Sequence, residues 1–350
     1  MKVAVIGCGS MGTKHINNLL ELGHEVAICD SNIFRLKESA QKFQIQKTCE
    51  NFRDLPDLFN PDAAIIATDT SFHAKIACFF AQKGIAYFSE IPISDALGDL
   101  RALTTATIEN NVVSMVGMVW RFHPAIQKIK QLVQDGEIGK VNTISSYGGE
   151  YLPDWHPKEP YKKEYSALLA KGGGVIVTNI SGIDYLRFLC GDVENAFAVY
   201  DSISHIDIEA EDFFMGVLQF KNGVFAQIYS DFFQRPVEHR LDIVGDNGKI
   251  HWDHHKKVVR HFSFSDGPSG EWNEYPYELN DFLTLYKEEM KHFLSCVKEK
   301  KETIVPVYDN VKTVLVGAAL KQSFVERRMV NVSNLKWSYE LRNAADILAV

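Results

Sequence analysis

Cysteine is scarce in this 350-residue sequence, and its six copies show neither a CxxC motif nor a regular spacing. Most of them fall within apolar segments, a setting that favours buried, reduced thiols over a disulfide framework. We therefore predict a cytoplasmic protein. The six residues are Cys8, Cys29, Cys49, Cys78, Cys190 and Cys296.

Long apolar runs and an excess of positive charge are also missing. No run approaches the ~18 apolar residues of a membrane span, and the N-terminal apolar stretch breaks at Gly7, too early for a signal peptide. Lysine and arginine number 37 against 45 acidic residues, which gives a net charge of −8. Because this balance cannot neutralise phosphates in bulk, we predict neither a nucleic-acid nor a membrane partner.

Metal-ligand patterns are equally weak. His251, His254 and His255 stand close together in "HWDHH", but no paired carboxylates accompany them at ligand spacing. The sequence therefore predicts no metal site.

The first 120 residues alternate between short apolar strands and amphipathic helices. Segments such as "KVAVIG" at Lys2–Gly7 and "AAIIAT" at Ala63–Thr68 are each followed by a helical pattern. This alternation is typical of βαβ units in a parallel, doubly wound sheet. We therefore predict an α/β domain over residues 1–120.

Longer alternating segments dominate the rest of the chain. They include "DFFMGVLQF" and "VFAQIYSDFF", joined by short turns such as Lys221–Gly223, a pattern that indicates antiparallel strands. The glycines Gly172–Gly174 open a predicted helix. We predict an α+β domain with an open antiparallel sheet over residues 121–330, followed by a helical tail over residues 331–350.

A glycine motif follows the first strand and opens the first helix. In "GCGSMG", Gly7 permits a tight turn, Gly9 lets a pyrophosphate approach the backbone, and Gly12 allows close helix–strand packing. The helix N-terminus adds N–H groups and a partial positive charge for phosphates. We predict that this loop binds a dinucleotide, the alternative being glycine packing without a nucleotide. Its residues are Gly7, Cys8, Gly9, Ser10, Met11 and Gly12.

An acidic residue ends the second strand. Asp30 lies 18 residues beyond Gly12, where a carboxylate can accept hydrogen bonds from a ribose diol and repel a 2′-phosphate. The sequence therefore predicts NAD rather than NADP, although Ser31 and Arg35 nearby weaken the discrimination.

Polar residues also follow the next two strands. Thr68, Asp69 and His73 lie in "ATDTSFH", and Glu90 follows "YFS". Loops at the carboxyl ends of parallel strands face the ligand crevice, so we expect these residues near the cofactor. For His73 the alternative is a helix-start residue without a ligand.

The order of these motifs resembles a known family. The glycine motif, the acidic strand end, "ATDTSFH", "EIP", "GMVWRFHP" and "GGGVIVTNISGIDYL" are together similar to the Gfo/Idh/MocA oxidoreductases over residues 1–330. The resemblance implies a Rossmann domain followed by an α/β domain with an open antiparallel sheet. It also implies NAD(P)-dependent action on sugars or cyclitols, in homo-dimers or homo-tetramers. The segment Tyr151–Gly174 further resembles members thought to serve surface-polysaccharide or nonulosonate sugar pathways.

Three positions depart from the family pattern. The family strand end reads Glu-Lys-Pro, so the resemblance places Glu90 by the nicotinamide ribose and puts Ile91 where a proton-handling lysine belongs. After the three glycines, Thr178 and Ser181 stand where relatives usually carry an acidic residue and a histidine. Neither hydroxyl titrates near pH 7. Arg121 in "WRFHP" could contact cofactor or substrate, the alternative being a surface salt bridge.

An active enzyme with these replacements must recruit a base from elsewhere. The loop before the glycine-led helix holds His156, whose imidazole titrates near neutral pH, and Tyr165, whose pKa Lys162 would have to lower. We predict His156 as the base and Tyr165 as the second candidate, the alternative being that both only shape a polar loop. The residues expected to contact the sugar are Tyr151, Trp155, Lys162, Thr178, Asn179 and Ser181.

Three functions stay open from the sequence. The first is an NAD-dependent oxidoreductase acting on a sugar or sugar derivative, because hydride transfer is the chemistry of the cofactor. The second is a nucleotide- or sugar-binding relative that has lost catalysis, which the three replacements favour. The third is a structural partner of an active paralogue. We place the oxidoreductase first.

Overall fold

The chain divides into two compact units. The computed structural model describes residues 1–94, 96–155, 160–264 and 270–335. The first unit comprises Met1–Val119 and Phe282–Val311, and the second comprises Trp120–Asp281 and the chain from Lys312. The predicted second domain, residues 121–330, differs from the second unit because Phe282–Val311 packs with the first. Most of the predicted helical tail lies outside the described residues.

The elements of the described residues alternate in the first unit and form long strands in the second. The strands are β1 (Lys2–Ile6), β2 (Glu25–Cys29), β3 (Thr48–Cys49), β4 (Ala63–Ile66), β5 (Ala86–Ser89), β6 (Ser114–Val116), β7 (Val141–Tyr151), β8 (Val193–Asp201), β9 (Phe213–Phe220), β10 (Phe225–Asp231), β11 (Phe233–Gly245), β12 (Gly248–Asp253), β13 (Val258–Ser263), β14 (Trp272–Pro276) and β15 (Val330–Asn331). The helices are α1 (Ser10–Glu21), α2 (Ile33–Phe43), α3 (Leu55–Phe59), α4 (Thr70–Gln82), α5 (Leu97–Glu109), α6 (Pro124–Gln134), α7 (Val175–Thr178), α8 (Ile180–Cys190), α9 (Leu283–Glu299) and α10 (Val307–Glu326). None of the described helices combines the length and apolar character needed to cross a membrane.

The sheet of the first unit has six parallel strands in the order β3-β2-β1-β4-β5-β6. All four residues of β4, Ala63–Ile66, are fully buried, as is typical of strands covered by helices on both faces. The predicted parallel, doubly wound sheet is confirmed. The strand order reverses between β1 and β4, and a ligand crevice lies at such a point, outside the carboxyl ends of the strands.

The sheet of the second unit has nine strands in the order β14-β13-β12-β11-β7-β10-β9-β8-β15. Its neighbours are antiparallel except for β7 and β10, which run parallel from the pair Thr143–Phe225 to the pair Gly149–Asp231. The sheet, predicted to be antiparallel, therefore contains one parallel pair of strands. A parallel pair needs a long crossover, and the chain between β7 and β10 supplies one through α7, α8 and two further strands.

The glycine-led helix of the second unit is interrupted. It forms α7 and α8, which are separated at Asn179, whose backbone leaves the helical region with φ −91° and ψ 29°. Helix α8 contacts both β7 and β10. Because of the interruption, Asn179 and Ser181 lie at the start of a new helix rather than in the middle of a longer one.

Candidate functional site

The glycine motif packs tightly at two positions and is open at the third. A Cβ atom at Gly7, where φ is +97°, would lie 2.2 Å from the carbonyl oxygen of Ala67, and one at Gly12 would lie 1.8 Å from the carbonyl oxygen of Gly7. A Cβ at Gly9 would meet no atom within 4 Å. Gly7 and Gly12 are thus required by packing, whereas Gly9 leaves space for a group against the backbone. The sequence predicts that a pyrophosphate occupies that space.

The first turn of α1 is suited to an anion. Gly9 precedes the helix, no side chain of the described residues caps its N-terminus, and its first turn contains no acidic residue. Ser10 is exposed and Met11 is half-buried. The amide N–H groups of this turn therefore remain available to phosphate oxygens.

Asp30 is held against the glycine motif. Its Oδ2 accepts a hydrogen bond from the amide of Cys8 at 2.8 Å, and its Oδ1 accepts one from the amide of Asn32 at 2.7 Å. Each carboxylate oxygen has lone pairs for further donors, so Asp30 can also bind a ribose diol. Ser31 and Arg35 are exposed beside it.

The Cys8 thiol belongs to the packed side of this loop. Burial, and then the neighbouring Asp30 carboxylate, raise the pKa of Cys8 to about 12, so the thiol stays protonated at neutral pH. Cys8 therefore contributes its backbone amide and its volume to the loop, and not a thiolate.

His73 joins the loops after β4 and β5. Its ring is buried, with Nδ1 2.8 Å from the carbonyl oxygen of Pro92 and Nε2 2.8 Å from that of Thr68. Since both ring nitrogens contact backbone oxygens, the geometry favours the alternative of a residue without a ligand. Thr68 is half-exposed and Asp69 is exposed at the carboxyl end of β4.

Glu90 is anchored to α1 by a histidine that the sequence analysis missed. The Glu90 Oε1 lies 2.6 Å from Nε2 of His15, and both residues are buried. The His15 ring also meets Phe88 edge to face at a centroid distance of 5.3 Å. The signal was the spacing of His15, three residues after Gly12 and thus on the same helix face. Ile91, which follows Glu90, is half-buried.

A second carboxyl group of the first unit is fully buried. Glu289 on α9 has no solvent exposure, and neither of its carboxyl oxygens forms a hydrogen bond with a described residue. Burial, and then the charge of Glu90, raise its pKa well above the ordinary value. The folded protein therefore favours the neutral form of Glu289.

Arg121 forms a buried salt bridge within the second unit. It is 4% exposed, with Nε 2.7 Å from Oδ2 of Asp184 and its Nη2 2.8 Å from Oδ1. Thr313 also donates to Asp184 Oδ1 at 3.1 Å, and Arg187 donates to the Thr313 hydroxyl at 2.8 Å. The expected surface salt bridge is thus a buried one, and contact of Arg121 with cofactor or substrate stays a prediction.

Of the three residues predicted on the loop before the glycines, the structure describes Tyr165 and Lys162. His156 lies outside the described residues, and Tyr165 is half-buried in a short 3₁₀ turn, Tyr165–Ala167. Lys162 is exposed and pairs with Asp207, whose hydrogen bond raises the pKa of Lys162. Lys162 is therefore engaged with a carboxylate.

Two aromatic residues predicted to bind sugar each contact another side chain of the protein, and their contact with sugar stays a prediction. The Tyr151 ring lies 3.7 Å from the guanidinium of Arg235. The Trp155 ring meets Phe232 edge to face at 5.4 Å.

A small cavity of about 60 Å³ lies in the second unit, among residues of α8 and four strands. Of the six residues predicted to contact sugar, two are in its lining, Asn179 and Ser181. The other four are not: Tyr151, Trp155, Lys162 and Thr178. Hydroxyl, amide and carboxylate groups beside aromatic rings suit a ligand that carries several hydroxyls. The lining residues are Trp120, Ser146, Gly148, Glu150, Asn179, Ser181, Gly182, Tyr185, Phe214, Ile228, Tyr229, Ser230 and His239.

A histidine and a glutamate of this lining, His239 and Glu150, were absent from the sequence prediction. His239 Nε2 lies 3.1 Å from Oε1 of Glu150, and the His239 ring lies 4.7 Å from that of Trp120. Strand alternation was the available signal, because His239 shares its face with Leu241 and Ile243, both fully buried.

Each of the two units contains a range that matches the model of a known protein family. The model of an oxidoreductase family with an NAD-binding Rossmann fold, Gfo/Idh/MocA, matches residues 1–118, and the model of the Gfo/Idh/MocA C-terminal domain matches residues 126–251. Together they cover more than half of the chain.

Individual relatives are similar over nearly the whole chain or over a large part of it. Myo-inositol 2-dehydrogenase of Thermotoga maritima is 28% identical over 348 residues, covering 96% of this chain and 99% of that protein. The 2,7-anhydro-N-acetylneuraminate hydratase of Mediterraneibacter gnavus is 26% identical over 260 residues, covering 71% and 66%. The crystal structure of a levoglucosan dehydrogenase in complex with NADH superposes with a TM-score of 0.85 at 19% identity, covering 95% of this chain and 99% of that one. The chain belongs to the Gfo/Idh/MocA family of oxidoreductases, with an NAD-binding Rossmann domain at its N-terminus.

Proposed function

We propose that the protein is an NAD-dependent oxidoreductase acting on a CH–OH group of a sugar or cyclitol. The open space at Gly9, before the uncapped start of α1, carries this proposal. The pyrophosphate would lie against Gly9 and the first turn of α1, the adenosine ribose against Asp30, and the nicotinamide ribose beside Glu90. When bound, NAD⁺ supplies the hydride acceptor.

The cavity of the second unit is the proposed substrate site. Ser146, Asn179 and Ser181 offer hydrogen-bonding groups for hydroxyls, and the Trp120 ring offers an apolar surface for the C–H face of a sugar. The similarity to a myo-inositol 2-dehydrogenase supports a cyclic polyol as the substrate. The relative that is a 2,7-anhydro-N-acetylneuraminate hydratase supports the finer proposal of a nonulosonate or surface-polysaccharide sugar.

The proposed reaction uses an atypical proton relay. Oxidation of an alcohol needs a base for the hydroxyl proton, and a positioned base contributes ~10²–10⁴-fold to the rate. Ile91, Thr178 and Ser181 replace the family relay and cannot serve. His156 and Tyr165 are the candidates from the sequence.

The same replacements favour a second candidate function, a nucleotide- or sugar-binding protein without catalysis. The test is to release ligands from the purified protein for mass spectrometry and then to follow NADH formation with a panel of cyclitols, anhydrosugars and nonulosonates. We expect NAD(H) to co-purify and at least one polyol to be oxidised. Tight NADH binding without oxidation of any compound would favour the binding protein, and no NADH binding would refute the oxidoreductase and the nucleotide-binding protein.

A further inference from the structure

We propose that His239, oriented by Glu150, is the acid/base group that exchanges a proton with the substrate hydroxyl in the cavity of the second unit. The inference rests on the proposed oxidoreductase function and names the residue that replaces the missing relay. The alcohol is oxidised by loss of hydride, which is the chemistry that bound NAD⁺ supplies. The electron pair of the O–H bond becomes the second C–O bond of the carbonyl, and the proton passes to Nδ1 of His239.

The contact with Glu150 determines which ring nitrogen can act. His239 on β11 lies opposite Gly148 on β7, and Glu150 lies two residues further along the same strand. The Glu150 carboxylate contacts Nε2 at 3.1 Å, so the neutral ring keeps its proton on Nε2 and a lone pair on Nδ1. A carboxylate at this position also stabilises the imidazolium that forms when Nδ1 accepts a proton.

Nδ1 lies beside a glycine of the cavity lining. A Cβ at Gly148 would lie 3.2 Å from Nδ1 of His239 and 3.6 Å from Cε1, so the missing side chain leaves this edge of the ring accessible. No described residue forms a hydrogen bond with Nδ1. Gly148 and His239 both line the cavity, and a hydroxyl bound there can therefore reach the lone pair.

The neighbouring imidazoles are poor proton acceptors. Burial lowers the pKa of His123 to about 3, with further lowering by His254 and His239. Burial, and then His239, lower the pKa of His254, whereas Glu150 has a smaller opposing effect. His239, by contrast, lies within hydrogen-bonding distance of the Glu150 carboxylate.

The other ionisable groups around His239 and Glu150 do not change the assignment of His239 as the acid/base group. Burial raises the pKa of Tyr185 on α8 to about 12, and its hydroxyl lies 2.5 Å from that of Ser146. Burial also raises the pKa of Tyr229 on β10. Glu238 and Arg240 flank His239 along β11 and pair with each other at 3.1 Å. Both tyrosines stay protonated at neutral pH and accept no proton.

The opposing explanation is that the pair only holds β7 and β11 together. The chain contains a matched pair for comparison: His251 on β12 and Asp242 on β11 lie 3.2 Å apart and are not in the cavity lining. A purely structural role predicts similar effects when either histidine is replaced.

The experiment measures the pH dependence of kcat and KM for a polyol that the wild-type protein oxidises, with NADH affinity and Tm as controls. We expect His239→Gln to lower kcat by at least ~10²-fold, with little change in KM or NADH affinity. Glu150→Gln should lower kcat less and change the pH profile, because the imidazolium loses its carboxylate. His251→Gln should leave kcat and the pH profile unchanged. Added imidazole should restore part of the activity of His239→Ala.

A second variant covers the possibility that His239→Gln fails to fold. Gly148→Ala keeps the pair but places a methyl group against Nδ1, and we expect kcat to fall by about tenfold or more without loss of NADH binding. If the wild type is active and both His239→Gln and Gly148→Ala keep its kcat and pH profile, the role of His239 is refuted and the oxidoreductase stands. If the wild type binds NADH but oxidises no polyol, the oxidoreductase and this role are refuted together.

Discussion

Asp30 has a structural role, and we propose a second role in binding the cofactor. Its carboxylate accepts hydrogen bonds from the amides of Cys8 and Asn32. In the proposed binding mode, its charge would repel a 2′-phosphate. We expect NADH to bind more tightly than NADPH. Asp30→Ala should lower the affinity for NADH by about 10–100-fold, because a hydrogen bond to a charged group contributes about 1.5–3 kcal/mol.

Fluorescence titration with both nucleotides checks this prediction. Glu25→Ala, at the exposed opposite end of β2, is the matched control and should leave both affinities unchanged. Equal affinities for NADH and NADPH in the wild type, or a preference for NADPH, would contradict the assignment.

Glu289 makes stability depend on pH. Because its pKa is raised in the folded protein, the folded state keeps a proton that the unfolded chain releases above about pH 4.5. The contribution of the neutral carboxyl to stability is full below that pH and is lost as the pH rises toward the folded pKa. The Glu289→Gln variant has no ionisable group at this position and does not lose this stability. The Tm of the variant minus that of the wild type should therefore increase steadily from mildly acidic to mildly alkaline pH.

Calorimetry across that pH range measures the effect. Glu288→Gln provides the control on the same helix, since Glu288 is exposed and pairs with Lys291 at 2.6 Å. A Tm difference between Glu289→Gln and wild type that stays constant with pH would rule out a neutral, buried carboxyl.

At the scale of the element, the turn from β1 into α1 contains two glycines with different expected roles. Gly9 should affect nucleotide binding, and Gly12 should affect packing. Gly9→Val introduces a side chain into open space, so we expect unchanged Tm but loss of NADH and NADPH binding through the blocked pyrophosphate. Gly12→Ala instead drives a methyl group into the Gly7 carbonyl, and overpacking of this kind costs about 1–3 kcal/mol. Thermal melting and titration on both variants separate the two effects. Retained binding in a folded Gly9→Val protein would refute the proposed pyrophosphate position.

At the scale of the whole molecule, one face of the second sheet exposes apolar side chains. Val199 on β8 lies opposite Met215 on β9, with Val217 two residues further on, and all three are 41% exposed. Apolar side chains grouped on a sheet face favour burial against a second copy. We therefore propose a homo-dimer or homo-tetramer through this face.

Light scattering after size exclusion tests this proposal. We expect the wild type to be oligomeric and Val217→Arg to reduce the mass toward that of one chain. Ile108→Arg, at an exposed apolar position on α5 in the first unit, is the control for a change of charge alone. A monomeric wild type would disprove the proposed interface.

The sequence by itself determined the parallel sheet, the glycine motif and the position of Asp30 at the end of β2. Each depends on short-range information: the alternation of apolar residues within one element, and glycine at spacings that only a turn into a helix requires. The family follows from the same motifs in order. The apolar periodicity could also have placed His15 and His239 on buried faces, but it does not identify the residues that they contact.

Only the tertiary structure decided which distant residues meet. Arg121 pairs with Asp184 across 63 residues, and His239 pairs with Glu150 across 89. The β7–β10 pair is parallel, and Phe282–Val311 packs with the first unit, although the helical pattern of α9 is plain in the sequence. These contacts depend on strand order and register, which are set by packing of the whole chain, and a pattern along one dimension does not encode them.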